Sequence, residues 1–314
     1  EKIDVVNEVT QFKDFEAMPV HCFESMHRAF LKVQDGCNQF CSYCAIPFAR
    51  GRERSLNHEQ VIQIAKDLCD KGHTEIVLTG IHTGRYDDGE YDLAKLMKAL
   101  LENTPDSVYY RISSIEITEV SDALIALMKE NPRMCHHLHI PVQSACNETL
   151  KRMNRPYTIE EFKEKINYIR SCIPDISIST DVIAGFVQES DEEFETTYEN
   201  LADLELSFFH VFPYSKRNGT KASTLKGEIN GKIAKARVAR LLELSNACRE
   251  KDMQRFNPVQ VLIERKQDGY YTGYTNQYHP CKILSDTPLS GRITIEWDRI
   301  EDGTYYGKKD VVCD

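Results

Sequence analysis

Residues 37–44 read Cys37-Asn38-Gln39-Phe40-Cys41-Ser42-Tyr43-Cys44, which places three thiols in a C-x3-C-x2-C spacing. Closely spaced thiolates can each hold one iron of a four-iron cluster, because iron–sulfur clusters take Cys ligands. The fourth iron then stays open for a ligand that is not protein. Such an iron can chelate a small molecule and pass an electron to it. The motif predicts a 4Fe–4S cluster bound by Cys37, Cys41 and Cys44.

A structural zinc site is the alternative interpretation of this loop. Zinc takes four tetrahedral ligands, usually as two separate pairs. The sequence offers no second Cys pair, and the next histidine, His58, belongs to a predicted helix start. The spacing therefore favours the iron–sulfur cluster.

The length and composition indicate a cytoplasmic protein that does not enter a membrane. A chain of 314 residues suits one large domain plus a small one. No apolar run approaches the length of a membrane span, and the first four residues do not resemble a signal peptide. The 11 cysteines form no even framework, which indicates a reducing compartment rather than disulfides.

The charge is unevenly distributed along the chain. The formal net charge is −10, yet residues 211–251 hold ten Lys or Arg against three acids. A local basic region can bind phosphate whatever the total charge is. The candidate phosphate contacts are Lys216, Arg217, Lys235, Arg237 and Arg240. The alternative is a solvated face of an amphipathic helix.

Strand-like and helical segments alternate through most of the chain. The predicted strands are Arg28–Gln34, Glu75–Gly80, Val108–Ser113, His136–Val142, Ile176–Ala184 and Leu206–Phe212. Strands that alternate with helices form a parallel sheet, and crossovers of one hand curl six such units into an open barrel. The sequence predicts a partial (β/α)6 barrel with its ligand residues at the C-terminal strand ends. Capping boxes are predicted at Asn57 with Gln60, at Thr158 with Glu161 and at Ser190 with Glu193.

The pattern changes after about Phe256 to short alternating strands divided by Gly, Asp and Pro, which predicts a small β-barrel. These strands are Val259–Ile263, Tyr270–Tyr274, His279–Ile283 and Arg292–Trp297. We expect three parts: residues 1–22 as a linker or remnant of another domain, 23–252 as the partial barrel, and 253–314 as the small barrel. The first residue, Glu1, indicates a chain that begins partway through a longer protein.

Five further segments carry a resemblance to a known family. They are residues 45–51, 77–84, 111–116, 137–144 and 210–217. Together with the Cys loop they resemble the radical S-adenosylmethionine (SAM) methylthiotransferases, from about Phe23 onward. Residues 81–84 and 113–116 resemble the branch that acts on threonylcarbamoyladenosine in tRNA. The C-terminal strands are similar to the family's TRAM domain, a small RNA-binding barrel.

The resemblance implies the activity and its cofactors. A 4Fe–4S cluster passes an electron into bound SAM, which splits to methionine and a 5′-deoxyadenosyl radical. That radical takes hydrogen from C2 of the modified adenine beside the anticodon, where a methylthio group is completed with a second SAM. The implied partners are tRNA and an electron donor such as a flavodoxin-like protein.

Two departures from the family pattern affect this expectation. Family members usually read Gly-Phe-Pro-Gly-Glu-Thr where this chain has residues 185–190, Gly-Phe-Val-Gln-Glu-Ser. The family also carries an N-terminal domain whose three cysteines bind a second 4Fe–4S cluster that supplies sulfur. Only Cys22 precedes the motif in this sequence. We therefore expect this chain to hold the radical half of the enzyme, with the second cluster only in a longer protein.

Five residues are candidate SAM contacts, and none is predicted to be a catalytic acid or base. Gly80 would let the SAM amino group approach the sheet edge, or it is a plain turn glycine. Glu116, Gln143 and Asp181 would hold the ammonium or ribose of SAM, or they cap a helix or bind backbone. Tyr43 would pack on the cluster or adenine, or it belongs to the core.

Two groups of basic residues are further candidates for ligand contacts. Arg50, Arg52 and Arg54 follow the Cys loop and would hold phosphate or the SAM carboxylate, or they are exposed charges on a loop. His136, His137 and His139 look like a metal triplet, but side chains alternate along a strand and cannot converge on one ion. We interpret His139 as barrel lining and assign no metal to it.

Two functions from other classes are alternatives. One is a radical SAM enzyme that acts on a protein side chain, which residues 81–84 argue against. The other is a non-enzymatic RNA-binding module, which would rest on the basic stretch and the small barrel. Failure to take up iron and sulfide would favour the second alternative.

Overall fold

The computed structural model describes Phe15 and residues 27–309. The predicted linker at 1–22, with Cys22, lies outside the described residues apart from Phe15, and so does Cys313. Among the helices described, none combines the length and apolar character that a membrane span requires.

The larger part of the chain alternates strands and helices. In chain order its elements are β1 (Arg28–Lys32), β2 (Gln34–Asp35), α1 (Ile46–Arg50), β3 (Arg54–Ser55), α2 (His58–Asp70), β4 (Glu75–Thr79), α3 (Leu93–Asn103), β5 (Tyr109–Ile112), α4 (Asp122–Glu130), β6 (His137–His139), α5 (Asn147–Arg152), α6 (Ile159–Cys172), β7 (Ser177–Ala184), α7 (Asp191–Leu204), β8 (Phe208–Pro213) and α8 (Gly231–Met253). All six predicted strands are present, with most ends one to three residues shorter than predicted.

The six predicted strands form one curved parallel sheet. Two three-stranded parallel sheets have the orders β1-β4-β5 and β6-β7-β8. They are joined because the Tyr110 N–H donates to the Arg133 carbonyl and the Cys135 N–H donates to the Tyr110 carbonyl, each at 2.8 Å. The strand order therefore follows the chain, and the predicted partial (β/α)6 barrel is confirmed. Strands β1 and β8 are its two edges.

Helix starts follow the predicted capping chemistry with one exception. Thr158 with Glu161 and Ser190 with Glu193 form reciprocal capping boxes at α6 and α7. Asn57 caps α2 by accepting from the Glu59 N–H, so the predicted box with Gln60 is wrong. A short Asn side chain reaches the nearer N–H, which is enough to satisfy one orphan donor.

The last part of the chain is a six-stranded sheet. Its strands are β9 (Val259–Gln267), β10 (Tyr270–Thr275), β11 (Pro280–Leu284), β12 (Arg292–Ile295), β13 (Trp297–Glu301) and β14 (Thr304–Lys308), in the order β12-β9-β10-β11-β14-β13. The sheet curls around its own hydrophobic cluster, which begins at Met253. We propose the domain boundary there, because α8 ends at the same residue.

A buried carboxylate joins the two parts. Glu75, at the start of β4, is fully buried and pairs with Arg28, Arg111 and Arg292 at 2.7–3.0 Å. Arg292 belongs to the small barrel, and Arg28 also reaches Glu264 of that barrel at 2.7 Å. Burial is tolerable for these charges because each has a partner.

Tyr278 of the small barrel enters the floor of the larger one. Its ring lies 5.2 Å from the His137 ring and 4.8 Å from the Arg111 guanidinium, measured to ring centroids. The φ of Tyr278 is 68°, a left-handed conformation that non-glycine residues adopt rarely. The floor of the partial barrel is therefore covered by the C-terminal sheet.

Candidate cluster and cofactor site

The Cys loop leaves the carboxyl end of β1 through the short ladder of β2 and β3. Gly36 precedes the first cysteine with φ at 74°. A Cβ on Gly36 would lie 2.0 Å from the Arg52 carbonyl oxygen, so only glycine fits. The Cys37 N–H then donates to the Gly51 carbonyl at 3.1 Å. The loop is thus fixed at both sides of the motif.

The three cysteines of the motif are free thiols with N–H donors around their sulfurs. The Gln39 N–H donates to the Cys37 sulfur at 3.3 Å, and Arg155 Nη1 donates to the Cys41 sulfur at 3.5 Å. Burial raises the pKa of the Cys44 thiol, and the adjacent thiols of Cys41 and Cys37 raise it further. Clustered thiols with sulfur-directed donors fit an iron–sulfur cluster, in which the sulfurs carry negative charge.

His82 lies beside the Cys loop, although the sequence predicts no role for it beyond its place in residues 77–84. Its Nδ1 lies 3.6 Å from the Cys37 sulfur and 3.4 Å from Glu53 Oε1, while its Nε2 lies 2.7 Å from Glu119 Oε1. Burial opposes the charge, but hydrogen bonds to Cys37, Glu119 and Glu53 raise the pKa of His82 to about 12. His82 can therefore donate a hydrogen bond from Nδ1 to the Cys37 sulfur. The sequence signal that could have identified His82 is its position just after the apolar strand Glu75–Thr79.

Arg155 is a second site residue that the sequence reasoning missed. It is buried at 8% exposure, contacts the Cys41 sulfur, and pairs with the Glu116 carboxylate. It also donates to the Pro141 carbonyl at 3.0 Å. Because Arg155 fixes Glu116 beside the Cys loop, Glu116 does lie at the predicted place. Its contact with SAM stays a prediction.

Two other predicted SAM contacts have different surroundings. A Cβ on Gly80 would lie 3.0 Å from the Gln34 Cβ and 3.1 Å from Thr83 Oγ1. The side chain of Gln34 therefore accounts for glycine there, since its Oε1 accepts from the His82 N–H at 2.7 Å. Gln143 has φ at 69°, and its amide side chain makes no hydrogen bond with the described residues. Gln143 thus lies four residues beyond β6, with amide donors and an acceptor that no described residue engages.

Asp181 belongs to a polar group on the inner wall of the barrel. Its Oδ1 lies 3.2 Å from His139 Nε2, and the His139 and His210 ring centroids are 5.6 Å apart. One ligand atom from each of the three lies within 4.8 Å of the others. His139 does line the barrel, as expected, and His136 points away, with Nδ1 2.8 Å from Asp175. The grouping arises because β6, β7 and β8 are adjacent.

Tyr43 packs in a small apolar cluster behind the loop. Its ring contacts Phe186 edge-on at 6.4 Å between centroids, and Phe186 in turn contacts Tyr214 at 5.0 Å. Phe186 belongs to the segment at 185–190 that departs from the family pattern. There Gln188 has φ at 65°, and its N–H donates to the Gly227 carbonyl at 2.8 Å. The altered segment therefore still forms a defined turn.

The arginines after the Cys loop are mainly structural. Arg50 and Arg54 both pair with the buried Asp35, at 3.1 Å and 2.8 Å. Arg52 lies over the Phe40 ring, 5.4 Å from its centroid. Arg50 and Arg54, two of the three arginines predicted to bind phosphate or the SAM carboxylate, are therefore already paired with Asp35.

The basic stretch is only partly available to a phosphate. Arg237 is buried and pairs with Glu189 and Asp191, both at 2.6 Å, so its predicted phosphate contact is wrong. The acidic start of α7 supplies these partners, a long-range pairing that the sequence did not reveal. Three more of its cations, Lys216, Arg240 and Lys251, have acidic partners at the surface. Arg217 and Lys235 are exposed and make no ion pair among the described residues.

Comparisons with known proteins agree with this geometry. The radical SAM superfamily profile matches residues 31–201. The threonylcarbamoyladenosine tRNA methylthiotransferase of Bacillus subtilis is 37% identical over 93% of this chain and 66% of its own length. Its counterpart in Chlamydia pneumoniae is 33% identical over 95% of this chain and 71% of its own length. A tRNA-2-methylthio-N6-dimethylallyladenosine synthase of Thermodesulfovibrio yellowstonii is 35% identical over 82% of this chain and 61% of its own length.

The chain spans about two thirds of the length of the Bacillus subtilis relative. Among solved structures, the radical SAM methyltransferase TsrM of Kitasatospora setae has a TM-score of 0.53 at 13% identity, covering 62% of this chain and 38% of its own. Coproporphyrinogen III oxidase of Escherichia coli has a TM-score of 0.52 at 16% identity, covering 73% of this chain and 54% of its own. These two likenesses support the fold.

Proposed function

Because the chain belongs to the radical SAM superfamily, and within it to the threonylcarbamoyladenosine tRNA methylthiotransferases, we propose that it serves methylthiolation of threonylcarbamoyladenosine in tRNA. The position attacked is C2 of the adenine next to the anticodon. The observation that carries this proposal is the Cys loop, fixed at the carboxyl edge of a partial barrel with N–H donors to its sulfurs. That arrangement suits a cluster with one open iron.

The protein residues position the reactants and stabilise charge. Cys37, Cys41 and Cys44 would hold the cluster. The chemistry supplied by a bound cluster and SAM is reductive cleavage of SAM, which starts hydrogen abstraction. His82 Nδ1 and Arg155 Nη1 lie 3.6 Å and 3.5 Å from the sulfurs of Cys37 and Cys41, where they can donate hydrogen bonds to these proposed ligands.

The SAM contacts are proposed from the polar atoms that each side chain has available for hydrogen bonding. The Gln143 amide, which no described residue engages, suits a ribose hydroxyl or an ammonium group. Glu116 offers a carboxylate held in place by Arg155. Asp181 keeps one carboxylate oxygen beyond the one that contacts His139. Tyr43 is held by Phe186 next to the loop, and Gly80 shapes the strand end through Gln34.

The proposed partner is tRNA, with its backbone near the carboxyl ends of β7 and β8. A cavity of about 610 Å³ opens there, lined in part by Tyr214, Lys216 and Lys235. Cations at the rim of a site attract a polyanion. An electron donor of flavodoxin-like type completes the proposal, since reduction of the cluster needs single electrons. A cytoplasmic location accords with the nine described cysteines, all of which are free thiols.

The test is product analysis under anaerobic conditions. The reconstituted protein is incubated with dithionite, SAM and tRNA that carries threonylcarbamoyladenosine. We expect 5′-deoxyadenosine that depends on Cys37, Cys41 and Cys44. We expect a methylthio nucleoside from this tRNA once a domain that carries the second, sulfur-supplying cluster is added. A variant with all three cysteines changed to alanine is the control. If the iron-loaded protein forms no 5′-deoxyadenosine, the proposed function is wrong.

A further inference from the structure

A separate cavity of about 210 Å³ lies inside the barrel, with Tyr278 at its floor. Three histidines, two serines and one arginine contribute to its wall, together with apolar side chains such as Val77 and Phe208. Sites for whole small molecules occupy roughly 300–1,000 Å³. The smaller volume here suits a substituent of a larger ligand rather than a complete nucleoside.

We propose that this cavity binds the threonylcarbamoyl substituent of the substrate base, with the threonine carboxylate among its histidines. The inference rests on the proposed function and extends it to the residues that select the substrate. The substituent has about ten non-hydrogen atoms, so it is small enough for a cavity whose volume lies below the usual range for whole ligands. It carries a carboxylate, a hydroxyl and a methyl group.

A chain of hydrogen bonds crosses the polar wall of the cavity. His139 Nε2 lies 3.2 Å from Asp181 Oδ1, and His139 Nδ1 lies 2.9 Å from Ser179 Oγ. The same Ser179 oxygen lies 3.0 Å from His137 Nε2. His137 is 4% exposed, and its Nδ1 has no hydrogen-bond partner among the described residues. A buried polar atom without a partner is costly, so a ligand that pairs with it gains affinity.

The hydrogen-bond chain can present either a donor or an acceptor to that ligand. The Ser179 hydroxyl has one hydrogen, which it gives to one histidine while it accepts from the other. When His139 carries a proton on both ring nitrogens, Ser179 accepts from His139 Nδ1 and gives its own hydrogen to His137 Nε2, so the proton of His137 sits on Nδ1 and can serve a carboxylate. When His137 Nε2 donates instead, Nδ1 can accept from the threonine hydroxyl. Both groups occur on the proposed substituent.

The surrounding charges favour an anion. Below the cavity, Arg28, Arg111 and Arg292 face the two carboxylates of Glu75 and Glu264, which leaves one positive charge in excess. Asp181 is the acid nearest the histidines, but it is not part of the cavity wall and is paired with His139. His210 lines the cavity and makes no hydrogen bond with the described residues, so its ring is free to contact the carboxylate.

The same wall would disfavour an apolar substituent. A dimethylallyl group, which modifies the base in the product of the Thermodesulfovibrio yellowstonii relative, has no hydrogen-bonding atom. It would leave His137 Nδ1 and the His210 ring nitrogens without a hydrogen bond from the ligand. Sites built to hydrogen-bond a polar group reject analogues that lack it much more strongly than apolar sites reject a size change.

The test compares four anticodon stem-loop RNAs that differ only at the target adenosine. The adenosine is unmodified, or it carries threonylcarbamoyl, the threonylcarbamoyl methyl ester or dimethylallyl. Affinity for the reconstituted 314-residue protein is measured by fluorescence anisotropy. We expect the threonylcarbamoyl RNA to bind about tenfold more tightly than its methyl ester, the size of one hydrogen bond to a charged group.

The variants His210→Leu and Ser179→Ala should each reduce this preference to below about threefold. His210 is exposed enough that its replacement should leave the fold intact. The matched control is His136→Leu, directly before β6, where the side chain faces outward to Asp175, and it should keep the preference.

The outcomes separate this inference from the proposed function. Equal affinity of the native protein for the acid and the ester, with 5′-deoxyadenosine still formed, would overturn the cavity assignment alone. A preference that survives in both His210→Leu and Ser179→Ala would overturn it as well. If none of the RNAs binds, or the threonylcarbamoyl RNA gives no 5′-deoxyadenosine, the proposed function itself falls and the cavity assignment falls with it.

Discussion

His82 Nδ1 lies 3.6 Å from the Cys37 sulfur, and His82 is held there by Glu53 and Glu119 on its two sides. The histidine follows β4, whereas the cysteine follows β1, and these strands are neighbours in the sheet. The contact therefore depends on the barrel rather than on the loop sequence. It gives Cys37, a proposed cluster ligand, a histidine neighbour whose Nδ1 can donate to the sulfur.

Replacement of His82 should change the reduction potential of the cluster. A hydrogen bond to a ligating sulfur stabilises the more negative, reduced state. His82→Gln should therefore lower the potential, by roughly 40 mV if the bond contributes about 1 kcal/mol. The measurement is an EPR-monitored redox titration of the reconstituted protein. His58→Gln, which changes a histidine paired with Asp88, should leave the potential unchanged. Equal potentials for native protein and His82→Gln would contradict the assigned contact.

Iron content should depend on each cysteine of the motif. Each thiolate is expected to hold a different iron, so Cys37→Ala should reduce bound iron from about four per chain to well below half. Iron and sulfide assays with the visible absorption spectrum provide the measurement. Cys146→Ala is the control, because Cys146 is a buried thiol at the start of α5, apart from the loop. Full iron content in a triple variant would show that the cluster is held elsewhere.

Removal of the buried Glu75 carboxylate should destabilise the protein. Glu75→Gln leaves three buried arginines without their shared anion, and breaking a buried pair costs about 3–5 kcal/mol of unfolding free energy. Chemical denaturation at pH 7 provides the measurement. Glu102→Gln is the control, since Glu102 forms an exposed pair with Lys98 and should change stability by less than about 0.5 kcal/mol. A decrease below about 1 kcal/mol in Glu75→Gln would show that the arginines find other partners.

The same carboxylate should make stability depend on pH. Burial opposes the charge of Glu75, but Arg111, Arg28 and Arg292 hold the pKa of Glu75 well below its usual range. A depressed pKa gives stability that is complete above the unfolded pKa of about 4.3 and is lost as the pH falls below it. The Tm of the native protein should therefore drop more steeply than that of Glu75→Gln between about pH 5 and pH 3. Parallel slopes would contradict this role.

Two kinds of cation in the basic stretch should behave differently. Arg217→Ala with Lys235→Ala should flatten the salt dependence of tRNA binding, by roughly 0.7–0.9 in the log–log slope for each phosphate that is no longer neutralised. Arg237→Ala should instead lower stability, because it leaves the buried Glu189 unpaired. Binding titrations at several salt concentrations and thermal melts provide the two measurements. An unchanged slope in the double variant would exclude both residues from the RNA interface.

The local pattern was sufficient for much of the fold. The six strands of the barrel read as apolar runs, and the boxes at Thr158 and Ser190 mark real helix starts. The last hairpin, β13 to β14, was not predicted, although Asp302-Gly303 is a strong turn signal and both residues have positive φ. Its strands are short and half-exposed, so their apolar alternation is weak.

The site was only partly predictable, because its contacts join distant segments. The Cys spacing is local and identifies the loop. Arg155 reaches Cys41 and Glu116 across the barrel, at a sequence separation of 114 residues from the cysteine. Arg237 is predicted to be an exposed cation, whereas in the fold it pairs with Asp191 at the start of α7 and with Glu189 just before that helix. Periodicity identifies which residues share a face, but it does not reveal which faces meet.

Tyr278 of the small barrel closes the floor of the partial barrel. Its ring packs against His137 and Arg111, and the ion pair between Glu75 and Arg292 joins the small barrel to β4. A chain cut after Met253 would lose the side chains that cover the floor of the partial barrel. Solvent would reach the inner histidines and the uncovered arginines from below, where a reactive organic radical would have to be kept away from bulk water. The C-terminal sheet is therefore also part of the wall that would enclose the proposed reaction site.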